Sequence, residues 1–194
     1  MGAASAPARG DQGPLIVVIC GPGGVGKGTI ARRLAGSLPS AHLARSWTTR
    51  PRRPGEGDEA YEFVSREDFE SAIDQGMFVE WASFNGRLYG TPRSELERGD
   101  PTILEIDVQG ARSVRMLELE AAIIGVVPPS FHELERRMRA RGDDDAHVES
   151  RLAIAANEVE AMIGLADHIV VNDRLERAID EVAGIVRGAA LRPE

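Results

Sequence analysis

The run Cys20-Gly21-Pro22-Gly23-Gly24-Val25-Gly26-Lys27-Gly28-Thr29 holds the residues with the most chemistry to offer. A chain of phosphates carries several negative charges, so a protein grips it by crowding backbone N–H groups around it. Glycines at Gly21, Gly23, Gly24 and Gly26 allow that close approach. Lys27 reaches the terminal phosphates, and the positive end of a following helix adds to the attraction. The spacing is that of the nucleotide phosphate-binding loop, G-x-x-x-x-G-K, so Gly21, Pro22, Gly23, Gly24, Val25, Gly26, Lys27, Gly28 and Thr29 are the expected triphosphate contacts. One position departs from it. Gly28 stands where Ser or Thr usually gives a hydroxyl to magnesium, and Thr29 comes one place later. The plain alternative is a glycine-rich turn between a strand and a helix.

Three further groups of charge stand out. Arg50, Arg52 and Arg53, stiffened by Pro51 and Pro54, form either a prepared anion site or a solvated basic turn. Glu105 and Asp107 interrupt an apolar run at 102–108, where an unpaired buried carboxylate would cost several kcal/mol. At the end of a core strand beside a phosphate loop, such acids can hold hydrated magnesium or a substrate group. Capping or a structural hydrogen bond is the alternative for Glu105. Finally, Arg136, Arg137, Arg139, Arg141 and Arg151 surround the tip 142–145, and a positive rim beside a phosphate loop suggests a closing lid. His42, His132, His147 and His168 lack metal-ligand spacing.

At 194 residues with 42% apolar content, the chain suits one compact domain with a full core. Its formal net charge of -8 argues against general affinity for nucleic acid. Cys20, the only cysteine, excludes an intramolecular disulfide and reads as a small buried residue; a cytoplasmic protein follows from that usage. No apolar run approaches membrane-spanning length. The first thirteen residues, small and polar, lack the apolar core of a secretion signal and read as a mobile tail, as do 189–194. There is no internal repeat.

The elements that must position these residues alternate. An apolar strand at 15–19 leads through the glycine loop into a helix at 27–37, with Ile30, Leu34 and Leu38 on one face. A short strand at 41–44 precedes 46–56, which is too rich in proline and charge for regular structure. A strand at 59–64, a helix at 66–75 closing at Gly76, and strands at 77–84 and 87–90 around an Asn85-Gly86 hairpin make a small lobe. Thr91-Pro92 opens a helix to Arg98. Beyond it come a strand at 102–108, a helix at 110–119, a strand at 121–127 and helices at 131–141 and 147–165. A strand at 168–171 and a helix at 175–186 finish the chain. Strands alternating with helices predict an α/β fold, a parallel sheet with helices on both faces.

At 46–56 the sequence S-W-T-T-R-P-R-R-P-G-E resembles the guanylate kinase signature S-x-T-T-R-x-x-R-x-G-E. F-V-E-W-A at 78–82, Y-G-T at 89–91, L-E-I-D-V-Q-G-A at 104–111 and L-x-x-R-M-x-x-R-G at 134–142 are similar to family blocks in family order. With R-L at Arg151 and V-N-D at 171–173, the resemblance covers nearly all of 15–186. It implies transfer of the terminal phosphoryl group of ATP to GMP, with magnesium; net charge and apolar-run length argue for no nucleic acid and no membrane partner, and the oligomeric state stays open. It also implies a P-loop NTPase-type core (14–44, 100–129 and 158–188), an inserted GMP-binding lobe (45–99) and a helical lid (130–157) within one domain, 14–188.

Guanine presents N1–H and N2–H side by side, and one fixed carboxylate can accept both, which singles out Glu80. By resemblance Ser46 and Thr91 supply hydroxyls to the base edge, and Asp107 an acceptor. Arg50 and Arg53, with the hydroxyls of Tyr61 and Tyr89, resemble the clamp on the GMP phosphate, with Glu56 holding an arginine. Lys27, Arg50, Arg137, Arg141 and Arg151 are the implied catalytic set, and Asn172 with Asp173 falls where relatives contact the ATP adenine. Thr29, Glu105 and Asp107 would meet magnesium through water. Three positions depart from the family pattern: Gly23 for Ser, Gly28 for the hydroxyl residue, and Glu105 for Asp. The G-K-G-T ending also resembles adenylate kinases, so a monophosphate kinase of other base preference, and a non-catalytic guanylate-kinase-like module, are the competing expectations.

Overall fold

The computed structural model describes residues 13–190 apart from 54, 55, 58, 60, 85, 118, 141 and 143, and leaves aside the side chain of His147. The expected tails, save Gly13, Ala189 and Ala190, and Asn85 and Arg141 therefore lie outside the described residues.

The central strand, β1 (Ile16–Cys20), is IVVIC, with every residue buried. A strand covered on both faces needs such a continuous apolar run, β-branched residues favouring the extended backbone. It pairs in parallel with β7 (Thr102–Glu105) on one side and β8 (Ala121–Val127) on the other. With β2 (His42–Leu43) and β9 (His168–Val171), the order is β2-β7-β1-β8-β9. Alternation along β1 divides the core. Val17 and Ile19 face Ile30 and Leu34 of α1 (Lys27–Ser37) and Val182 and Val186 of α6 (Leu175–Ala190). Val18 and Cys20 face Ala111 and Val114 of α3 (Val108–Met116) and Met162 of α5 (Asp145–Ile163). Each such fully buried aliphatic side chain contributes about 1.5–3 kcal/mol.

A second sheet, of order β4-β3-β6-β5, is built from β3 (Ser46–Thr48), β4 (Tyr61–Phe63), β5 (Phe78–Phe84) and β6 (Arg87–Pro92). Its own core holds Phe69, Ala72, Phe78 and Leu88, with Phe69 and Phe78 stacked at 4.5 Å between ring centroids. Phe69 and Ala72 come from α2 (Arg66–Asp74), whose start is capped by Ser65 Oγ accepting from Asp68 N at 3.0 Å. The remaining helix, α4 (Phe131–Ala140), buries Leu134 and Met138 in the main core.

Three sequence expectations need correction. Residues 46–48 are a strand, because pairing with β4 and β6 outweighs the irregular composition that follows them. The expected helix at 91–98 is instead the end of β6, held in register by Thr91 opposite Glu80, followed by a 3-10 turn at Arg93–Glu97. Asp107 is not inside a strand: β7 stops at Glu105, and Asp107 caps α3 by accepting from Gly110 N at 2.8 Å. The acid there needs no buried counter-charge.

Candidate active site

The two sheets meet over one cleft of about 730 Å3, a size suited to small-molecule ligands. Its floor is the phosphate loop. Gly21 has φ 142°, and a Cβ there would lie 2.2 Å from Val126 O. Gly26, at φ 101°, leaves room for Asn172, whose Nδ2 donates to Val25 O at 2.8 Å. The glycines are therefore demanded by neighbouring strands as well as by an incoming anion. Lys27 Nζ donates to Gly21 O at 2.8 Å and to Pro22 O at 3.1 Å, which keeps the ammonium over the loop. Val25 turns its side chain wholly into the core.

Facing the loop, a buried chain of polar groups crosses the second sheet. Thr91 Oγ1 donates to Glu80 Oε1 at 2.6 Å and lies 3.1 Å from Ser46 Oγ. Burial pushes the Glu80 carboxyl up to about 7; the Thr91 hydrogen bond opposes this and the charge of Asp107 adds to it. Gly110, on the first turn of α3, backs this carboxylate: a Cβ there would lie 2.5 Å from Glu80 Oε2. Glu80 and Ser46 line the cleft, whereas Thr91 stands behind them, fully buried.

Arg50, Arg53 and Glu56 line the same cleft. Arg50 Nη1 donates to Glu56 Oε2 at 2.6 Å while Nη2 bonds the other carboxylate oxygen, and Arg53 N also reaches Glu56 Oε2 at 3.0 Å. The paired Arg50 guanidinium holds the Glu56 carboxyl below its ordinary value, and Glu56 raises Arg50 in turn. Arg50 also lies over the Tyr61 ring at 5.0 Å, and the Tyr61 and Tyr89 rings meet edge-on at 6.2 Å. The Tyr61 phenol is pushed upward, first by the charge of Glu105 and then by burial, so it remains a donor.

Glu105, at the end of β7, comes next to the loop: its Oε2 would lie 3.3 Å from a Cβ added at Gly28. Burial raises its carboxyl, with Lys27 and Arg32 opposing. Among the lining residues that the sequence pattern does not single out are Glu158 and Phe84. Glu158 follows Arg151 by seven places, two helical turns on the same face of α5; burial raises it, while Lys27 and Arg151 draw it down. That spacing is the signal for it. Phe84, at the end of β5, had none, because an aromatic residue at a hairpin end reads as packing.

The remaining expected site residues lie elsewhere. Arg137 Nε donates to Glu133 Oε1 at 2.8 Å and Nη2 to Asn172 O at 2.9 Å, away from the cleft lining. Asp173 accepts from Arg174 N at 2.5 Å and Arg177 Nε at 2.9 Å, at the start of α6. The structure thus joins Arg137 to Asn172, which is buried against the loop at Val25, with Asp173 next in the chain. Arg141 falls outside the described residues.

Among the described residues no group of three or more His, Cys, Asp or Glu could hold a metal ion. Asp107 gives one carboxylate oxygen to the α3 cap and still lines the cleft, as do Glu105 and Thr29, so the residues present fit a hard cation carried mainly by phosphate oxygens and water. No helix among them is long and apolar enough to cross a membrane.

A phosphate loop after the central strand of a parallel sheet, facing a polar pocket on an inserted sheet, defines an α/β fold of the P-loop kinase type. The guanylate kinase family model matches residues 14–189. A guanylate kinase of Parasynechococcus marenigrum is 45% identical over 177 residues, 88% of this chain and 97% of its own. One from Symbiobacterium thermophilum is 43% identical over 185 residues, 92% of this chain and 87% of that protein. The crystal structure of guanylate kinase from Anaplasma phagocytophilum superposes with a TM-score of 0.75 at 31% identity, covering 93% of this chain and 88% of that one. The chain belongs to the guanylate kinase family.

Proposed function

We infer that this protein transfers the terminal phosphoryl group of ATP to GMP, releasing ADP and GDP. The observation that carries the reading is the Ser46–Thr91–Glu80 relay, buried and preorganised, in the same cleft as an intact phosphate loop. Ionised Glu80 accepts from guanine N1–H and N2–H. Adenine, with an acceptor at N1, leaves that carboxylate facing a lone pair, and such a mismatch of buried polar groups discriminates strongly. Thr91 positions Glu80, and Ser46 reaches the base edge.

Arg50, Arg53, Tyr61 and Tyr89 hold the GMP phosphate; Glu56 fixes Arg50 so that its remaining donors face the acceptor. Loop amides, Thr29 and Lys27 hold the ATP phosphates, and Arg137 with Asn172 and Asp173 suits the side of the nucleoside. Lys27 and Arg151 offset the charge that spreads over the transferred group. A GMP phosphate oxygen is already a nucleophile, so no side chain need act as general base, and rate enhancement comes from positioning and charge neutralisation. Magnesium, when bound with ATP, draws charge from the phosphates; Glu105 and Thr29 would orient its waters.

The test is ADP release in a coupled assay with GMP, AMP, UMP and CMP as acceptors. Turnover should require GMP; equal or better turnover with AMP would remove the role given to Glu80. Binding of GMP without ADP formation would instead mark a non-catalytic module.

A further inference from the structure

Arg151 comes from α5, yet its guanidinium carbon lies 4.4 Å from the centroid of Phe84, at the far end of β5 in the second sheet. On the loop side, a Cβ added at Gly23 would lie 2.8 Å from Arg151 Cζ and 2.9 Å from both terminal nitrogens. The guanidinium therefore occupies a slot between an aromatic ring and bare loop backbone, where three distant segments of chain converge. Gly23 is one of the positions at which this sequence departs from the Ser of the family pattern, and the slot gives that departure a use: a side chain there would displace the arginine.

We propose that Phe84 is a positioning residue for Arg151, holding its guanidinium against the phosphate loop and making that placement conditional on the GMP-binding lobe being seated beside the loop. The physical basis is the way a ring holds a cation. An aromatic face attracts the cation through its quadrupole and orients the guanidinium plane without itself taking up an N–H donor. Arginine has several rotatable bonds, so a stacked plane limits the orientations it must search before transfer. Because the ring belongs to the lobe that takes GMP, the placement of the arginine depends on where that lobe sits beside the loop.

This inference rests on the reading of Arg151 as a stabiliser of the transferred group, and four variants separate the two. Phe84 lies outside the lobe's own core of Phe69, Ala72, Phe78 and Leu88, so its replacement should leave the fold intact. Arg151→Met should lower kcat by about a hundredfold or more. Phe84→Leu should lower kcat about five- to tenfold, with KM for GMP and the melting temperature nearly unchanged. Phe84→Tyr should restore the rate. In the Arg151→Met background, Phe84→Leu should have no further effect, since the group it positions is gone. An unimpaired Phe84→Leu, the same loss in both backgrounds, or no rescue by Tyr would overturn the positioning role while leaving Arg151 its own. An unimpaired Arg151→Met would remove both.

Discussion

The phosphate loop and the base pocket solve different problems with different parts of the chain. On the function proposed, the loop takes an anion shared by every nucleotide through the backbone of nine consecutive positions. The pocket would take one base through Ser46 and Glu80, with Thr91 behind them, side chains brought together only by strand pairing across β3, β6 and β5. Binding power is local in sequence here, and selectivity is not. The two regions should therefore fail differently when damaged: the loop by losing rate for any acceptor, the pocket by losing preference among acceptors.

The largest effect should come from Lys27→Ala. Removing the only loop ammonium should lower kcat about a thousandfold while GMP affinity changes little, as measured by turnover and by calorimetric GMP titration. A comparable loss of GMP binding would show that the loop and pocket are not separable in this way.

Glu80→Gln should act in the opposite sense, lowering kcat/KM for GMP about a hundredfold with much smaller changes for other acceptors. It also has a signature in stability. The folded-state value of Glu80 is raised to about 7, so the folded protein favours the neutral acid. The stability this contributes is complete below the ordinary carboxylate value and is lost as pH rises through about 7. A shift of that size corresponds to on the order of 3 kcal/mol. Glu80→Gln, permanently neutral, should lose that slope and become the more stable form at pH 8 in thermal melts, with little difference at pH 5. A parallel pH dependence in both proteins would remove the burial argument.

The same shift links protons to the substrate. Guanine needs the ionised carboxylate, so near and below pH 7 GMP binding should release a proton from Glu80, and affinity should weaken by up to about tenfold per pH unit as pH falls. Calorimetry in buffers of different ionisation enthalpy reads the proton directly. Glu80→Gln is the control, because the GMP phosphate itself titrates near pH 6. Proton release of equal size in that variant would assign it to the phosphate instead.

This division also explains what could be read before any coordinates. The phosphate loop was legible because its requirements, glycines at fixed spacing between an apolar strand and a helix, are met within one short window. β8 and β9 were legible to the residue, since each is an apolar run bounded by turn or charged residues. Ser46 to Thr48 misled because its strand character comes from partners far along the chain, and Asp107 because a cap and a strand-end acid look alike in one dimension. The resemblance put the hydroxyls of Ser46 and Thr91 at the base edge; that Thr91 instead stands behind Glu80 in a buried polar relay had no signal in the sequence. The contacts of Gly23 with Arg151, Gly28 with Glu105 and Gly110 with Glu80 are spatial and had no sequence signal at all.

Gly110 carries the comparison into the pocket's supporting shell. In a helix Ala is preferred over Gly by about 1 kcal/mol, so intrinsic propensity argues for Gly110→Ala. A Cβ 2.5 Å from Glu80 Oε2 argues against it, since the carboxylate would have to swing off its Thr91 hydrogen bond toward the cleft it lines. The second effect should win: KM for GMP should rise about tenfold with ATP affinity unchanged. A variant that is more stable and equally selective would show that Glu80 can shift without cost.

The smallest effect should be at Gly28, where the loop meets an acid from the sheet. A Cβ there would lie 3.3 Å from Glu105 Oε2, a tight contact that the end of a side chain can relieve by moving a few tenths of an ångström. Where the resemblance leads one to expect Asp, Glu105 is one methylene longer and reaches toward the place a side chain at position 28 would take, so the two departures should compensate. Gly28→Ser alone should crowd the carboxylate, and Glu105→Asp alone should leave a gap; each should weaken magnesium-dependent ADP binding by about two- to fivefold, read as the difference between titrations with and without magnesium. Combined, the substitutions should recover most of the loss. Strictly additive losses in the double variant would mean that the carboxylate and the loop glycine act independently, and that contact at this corner of the loop carries no coupling.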